Sequence, residues 1–147
     1  MKKESATNTI QTLKTAIREK KTQRLYVFHG EETFLLNHYL GQLRKNLIDE
    51  ITESFNFHKF TNENFSVQEL VDCVECLPVM TESTMIVVED VDIFKLAELE
   101  RTKLAEIFAD IPQYCTIVFT YITLQWKLDE RYKKFYNIII EHAAIVE

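Results

Sequence analysis

The stretch YVFHGEETFLLNHYLGQL, residues 26–43, decides how the chain is read. It passes from an apolar run through Gly30 into side chains at helical spacing, Leu36, Tyr39, Leu40, Leu43 and then Leu47. Phosphate-binding loops use this strand, glycine and helix layout: backbone N–H groups of a glycine-rich turn surround phosphate oxygens, and a lysine reaches the outer phosphates. Counted from Gly30, the pattern G-x-x-x-x-G-K-[ST] asks for Gly, Lys and Ser or Thr at 35, 36 and 37, where the chain has Leu35, Leu36 and Asn37. Glu31 and Glu32 stand in the first turn of the helix, at the positive dipole end, where their carboxylates would repel a triphosphate. The loop at Gly30, Glu31 and Glu32 is therefore degenerate, and Gly30 reads as a turn residue.

Outward from this stretch, strands and helices alternate. Residues 6–20 place Ile10, Leu13, Ala16 and Ile17 on one face, which predicts an opening helix within residues 1–21 with its basic side chains toward solvent. LYVF, 25–28, reads as a buried strand, and the helix after Gly30 runs to about residue 51. FNFHKF, 55–60, reads as a strand. Ser66 and Glu69 have capping-box spacing ahead of a helix through Val67, Leu70, Val71 and Val74 that ends near Pro78. TMIVV (84–88) is a strand, residues 95–110 a helix closed near Pro112, and CTIVFT (115–120) a strand. Leu128, Tyr132, Phe135, Tyr136 and Ile139 mark a last helix, with AAIVE as a fifth strand.

This alternation predicts a single α/β domain over residues 1–147: a five-stranded parallel sheet with helices on both faces. LYVF, MIVV and TIVF lack polar alternation, as strands covered on both sides do. In such sheets ligands gather beyond the carboxyl ends of the strands, here His29–Gly30, Glu89–Asp90 and Tyr121.

At 147 residues and 46% hydrophobic, the chain can fill one sizeable core. No apolar run approaches the roughly 18 residues of a bilayer span, and the start MKKESATNTIQ has no apolar signal region, so no membrane association is expected. The odd set Cys73, Cys76 and Cys115 suggests no disulfide framework; a reducing, cytoplasmic setting fits. Seven of the 17 basic side chains but only two of the 23 acidic ones fall in residues 1–24, leaving 10 basic and 21 acidic beyond. That balance is a poor footprint for gripping duplex DNA, so DNA contact is expected to be weak or indirect.

Three motifs have two readings each. MIVVED, 85–90, is an apolar strand followed by acids that could hold Mg²⁺, yet acids after strands are common and no phosphate loop accompanies it. Cys73-Val-Glu-Cys76 has the spacing of a zinc half-site but falls on a predicted helix with no second pair. Leu77, Pro78, Val79 and Met80 put four apolar residues into a connection, where surface-running chain is ordinarily polar. Either they fold back into the core, or they form an exposed wedge for a partner's pocket.

Taken in order, LYVFHGEETFLL, ECLPVMTESTMIVVED, TIVFTY and LDERYKKFYNIIIEHAAIVE resemble the N-terminal domain of bacterial DNA polymerase III delta subunits over about residues 22–147. The resemblance implies an AAA+ (RecA-like) domain that has lost ATP binding, hence no cofactor, no metal and no catalysis of its own. It implies a clamp-loader component that binds the ring-shaped sliding clamp and helps open it during DNA replication. It carries the clamp contact onto Leu77, Pro78, Val79 and Met80, although the family often has a bulky aromatic where Val79 and Met80 stand. Family members continue into a lid and a collar domain that joins the other loader subunits; those domains are absent from this chain. The alternative is an NTP-binding domain with a regulatory or ATPase role, motivated by the glycine loop and MIVVED. A third reading makes the basic first helix a DNA-contacting arm.

Overall fold

The computed structural model describes residues 10–146. A five-stranded, all-parallel sheet runs in the order β2-β3-β4-β1-β5. In chain order the elements are α1 (Ile10–Glu19), β1 (Leu25–Phe28), α2 (Thr33–Leu47), a 3₁₀ turn at Glu50–Thr52, a single-turn helix α3 (Glu53–Asn56) and β2 (Phe57–Thr61). They continue with α4 (Val67–Glu75), β3 (Thr84–Glu89), a 3₁₀ turn at Ile93–Lys95, α5 (Glu98–Ala109), β4 (Cys115–Thr120), α6 (Lys133–His142) and β5 (Ala144–Val146).

The pleat divides the strand side chains between two cores. Leu25, Val27, Ile86, Val88, Cys115, Ile117, Phe119 and Ile145 face one side, where they meet Leu70 and Val74 of α4, Leu104 and Phe108 of α5, and Phe135 and Ile139 of α6. Tyr26, Phe28, Met85, Val87, Val118, Ala144 and Val146 face the other, under Leu13 of α1 and Leu36 and Leu43 of α2. Each central strand is buried at nearly every position because helices cover both faces, as the absence of polar alternation anticipates.

Helix ends follow local chemistry. Lys20 takes a left-handed φ of 58° and closes α1, with the Lys21 N–H donating to the Ala16 carbonyl at 2.9 Å. The Ser66 hydroxyl accepts from the Glu69 N–H at 3.1 Å, so the cap read from sequence is present. The Tyr114 hydroxyl donates to the Val74 carbonyl at 3.2 Å and ties down the last turn of α4.

Several predicted boundaries shift: the last helix, marked from Leu128, begins only at Lys133, and the helix predicted from residue 95 begins at Glu98, after the 3₁₀ turn at Ile93–Lys95. The helix expected to reach residue 51 ends at Leu47, because Ile48 turns extended and is buried in the second core. The strand expected from residue 55 begins at Phe57, since Glu53–Asn56 first make one helical turn. The part of the predicted opening helix before Ile10 lies outside the described residues. Among the described residues, no helix is long and apolar enough to cross a membrane.

Leu104 is fully buried against the larger core. Leu104→Ala should lower the unfolding free energy by about 3 kcal/mol, read as a lower urea midpoint at an unchanged m-value.

Candidate functional site

The sheet brings the carboxyl-end residues of β1, β4 and β3 to one edge. The Tyr121 N–H donates to the Phe28 carbonyl at 2.9 Å, and the Asp90 N–H to the Thr120 carbonyl at 2.8 Å, so His29–Gly30, Tyr121 and Glu89–Asp90 follow adjacent strands.

Gly30 has φ 132°, a conformation that L side chains rarely adopt, which accounts for a glycine at the exit of β1. Glu31 and Glu32, expected in the first turn of the helix, stand just ahead of it, because α2 begins at Thr33; both are exposed, and Glu32 is the N-cap, with no side-chain cap bond. Leu36, where a phosphate loop would carry its lysine, is buried in the second core. A cavity of about 340 Å³ remains here, lined by Phe28, Gly30, Glu31, Leu35, Leu36 and Tyr39 among others. Its walls are mainly apolar and its charged members acidic, the reverse of what a polyphosphate needs.

Glu89, the last residue of β3, and Asp90 after it both make contacts within the fold. The Asp90 carboxylate accepts from the backbone N–H groups of Ile122 (2.8 Å), Thr123 (3.1 Å) and Leu124 (3.2 Å), and from the Thr123 hydroxyl at 2.9 Å. Burial works to raise the Asp90 carboxyl, and these hydrogen bonds outweigh it, leaving the group below its ordinary value. Asp90 itself holds a left-handed φ of 57°, and the neighbouring Tyr121 hydroxyl donates to the Val91 carbonyl at 2.7 Å. Glu89 pairs instead with Lys59 of β2 at 3.1 Å. Cys73 is half-buried on α4 while Cys76 follows the helix end and is exposed. Burial first, then the charges of Cys76, Asp72 and Glu69, raise the Cys73 thiol, opposite to the shift a reactive thiolate requires.

The second location is the connection from α4 to β3. Leu77 is 71% exposed, Val79 40% and Met80 88%, with Pro78 half-buried; the four residues do not fold back into the core. Their backbone is nonetheless fixed. The Val79 N–H donates to Asn56 Oδ1 at 2.7 Å, and Asn56 Nδ2 donates back to the Val79 carbonyl at 2.9 Å. Asn56 is itself fully buried, its Nδ2 also within hydrogen-bond reach of the Thr52 carbonyl and hydroxyl at 3.2 and 3.0 Å. Directly after Val79, Met80 sits at φ 59°, a left-handed conformation that costs a non-glycine residue about 1 kcal/mol.

Asn56 is the residue a sequence reading misses, because it lies in the aromatic run taken as a strand. Ile51 of the 3₁₀ turn and Phe55 of α3, both exposed, are missed with it. The available signal was Asp49: its Oδ1 accepts from the Ile51 N–H at 3.0 Å, a cap that starts a helical turn before Glu53.

The sequence profile of the family described as DNA polymerase III, delta subunit, matches residues 26–147. The chain belongs to that family. A DNA polymerase III subunit delta from Bacillus subtilis (strain 168) is 25% identical over 137 residues, covering 90% of this chain and 39% of the relative. Among solved structures, a Bacillus subtilis DNA clamp loader delta protein superposes with a TM-score of 0.77 at 24% identity, covering 92% of this chain and 41% of that one. A gamma subunit-related protein of DNA polymerase III from Thermotoga maritima gives a TM-score of 0.60 at 11% identity, covering 92% and 45%. The chain thus spans about two fifths of the length of the delta relatives it matches. The fold of this family member is the five-stranded parallel sheet with helices on both faces that the alternation predicts, and it is shared with these two solved structures.

Two outcomes follow for this edge of the sheet. Leu35→Gly, Leu36→Lys and Asn37→Thr combined should fail to create Mg-ATP binding in a calorimetric titration, and should lower the melting temperature, because the new lysine replaces a buried leucine. Asp90→Ala should cost about 3 kcal/mol at pH 7 by orphaning the 122–124 amides. The folded carboxyl titrates below its unfolded value, so its contribution is complete above about pH 4 and lost as pH falls through the folded value. The difference in stability between wild type and Asp90→Ala should therefore shrink in acid.

Proposed function

We propose that this chain is the clamp-contacting domain of a clamp-loader delta subunit: it binds the sliding clamp through Leu77, Pro78, Val79 and Met80 and helps open it, with no ATP hydrolysis of its own. The observation that carries the reading is the exposure of Leu77 and Met80 on a connection whose backbone is held in place. Exposed large apolar side chains in a fixed loop, flanked in sequence by Glu75 and Glu82, have the character of an anchor for an apolar pocket with a polar rim. Met80 suits that task, since an unbranched thioether adapts to an irregular pocket.

On this reading the degenerate loop at Gly30, Glu31 and Glu32 is scaffold, and the domain, residues 1–147 with its N-terminal helix, acts mechanically as part of a longer cytoplasmic subunit. Lid and collar domains of that subunit would join the other loader subunits. The Bacillus subtilis relative described as a DNA clamp loader delta protein supports the assignment through its shared fold.

Leu77→Ala combined with Met80→Ala should weaken binding to the sliding clamp of the same organism by about 3 kcal/mol, roughly a hundredfold in Kd, with the melting temperature unchanged. Surface plasmon resonance against immobilised clamp checks it, and wild-type affinity in the double variant would refute the assignment.

A further inference from the structure

We infer that Asn56 is the positioning residue of the apolar tip, holding Val79 and Met80 in their docking conformation before any partner arrives; this rests on the reading that Leu77–Met80 contact the sliding clamp. Asn56 lies 23 residues before Val79 and offers its backbone what a neighbouring strand would, an acceptor for the N–H at 2.7 Å and a donor for the carbonyl at 2.9 Å. A primary amide is the side chain that supplies both at once.

The asparagine is rigidly placed. It is fully buried, its amide reaches Thr52 one turn back, and the next residue, Phe57, begins β2, whose five residues pair in register with β3. The tip is thereby referenced to the sheet rather than only to the end of α4. Met80 shows why such a reference is needed. A methionine does not rest at φ 59° by preference, and the conformation persists only where the surroundings fix it. The Asn56–Val79 pair is the constraint on the residue immediately before.

Merely closing a connection between a helix and a strand does not require apolar side chains to be held outward. Here Leu77 and Met80 are displayed at 71% and 88% exposure, while their loop is tied down by a buried polar group. That combination lowers the ordering cost of docking: a tip that occupied the binding conformation only a tenth of the time would bind about tenfold more weakly.

The test combines clamp affinity with amide hydrogen exchange on this chain. Asn56→Ala should weaken clamp binding about tenfold and accelerate exchange of the Val79 amide, leaving the β3 amides protected. Asn56→Ser, whose hydroxyl can bond the Thr52 carbonyl one turn back but is too short to bridge to Val79, should weaken binding as Asn56→Ala does, and it carries the comparison if Asn56→Ala does not fold. In the Leu77→Ala, Met80→Ala background, Asn56→Ala should have no further effect on affinity. Wild-type affinity in both Asn56 variants, beside weak binding by the tip variant, overturns the positioning role and leaves the clamp reading intact. An equal loss in both backgrounds also overturns it, since the effect would then not pass through the tip. Wild-type affinity in the tip variant removes the clamp reading and this inference together.

Discussion

Burial of the central strands on both faces is the constraint on which the rest depends. β1, β3 and β4 are parallel neighbours, and their alternate side chains enter two separate cores. Polar groups inside such strands would be desolvated on either face, so polar chemistry is confined to the strand ends and the loops beyond them. The same constraint makes the fold tolerant of changes at those ends. Leu36 can join the second core, and Asp90 can turn its carboxylate onto the 122–124 backbone, without disturbing the sheet between them.

Much of this was legible because the strands are apolar runs of four to six residues with unambiguous helices between them. LYVF and CTIVFT are strands over the residues the pattern gives, and Ser66 caps α4 as its spacing with Glu69 implies. The absence of the phosphate-loop string could be read for a simpler reason: the required residues are a fixed pattern, and Leu35, Leu36 and Asn37 stand in their places. The region from Ile48 to Asn56 was illegible on the same grounds. Leu43, Leu47 and Ile51 continue a helical spacing that the chain itself abandons at Ile48, and Phe55 and Phe57 mimic an alternation that begins only at Phe57.

Exposure of Leu77 and Met80 could not be read either, because an apolar quartet after a helix is compatible with burial or display. What separates the two is a pair of hydrogen bonds between residues far apart in sequence, from an asparagine that carries no local signature of its partner. Helix propensity and hydrophobic spacing are short-range quantities. A side chain that substitutes for a strand neighbour is a long-range one, and only the fold pairs it with its target.

The Asp90 bonds also bear on evolutionary direction. An acid that caps a loop with four hydrogen bonds is no longer neutral with respect to that loop, and Leu36 is no longer neutral with respect to the second core. A lineage moving from this state toward nucleotide binding would have to release the carboxylate, re-cap residues 122–124, and replace a buried leucine by lysine. Each step lowers stability before the set as a whole could confer any benefit. Such a route is opposed by stability at every step, which leaves changes at exposed positions as the less costly ones.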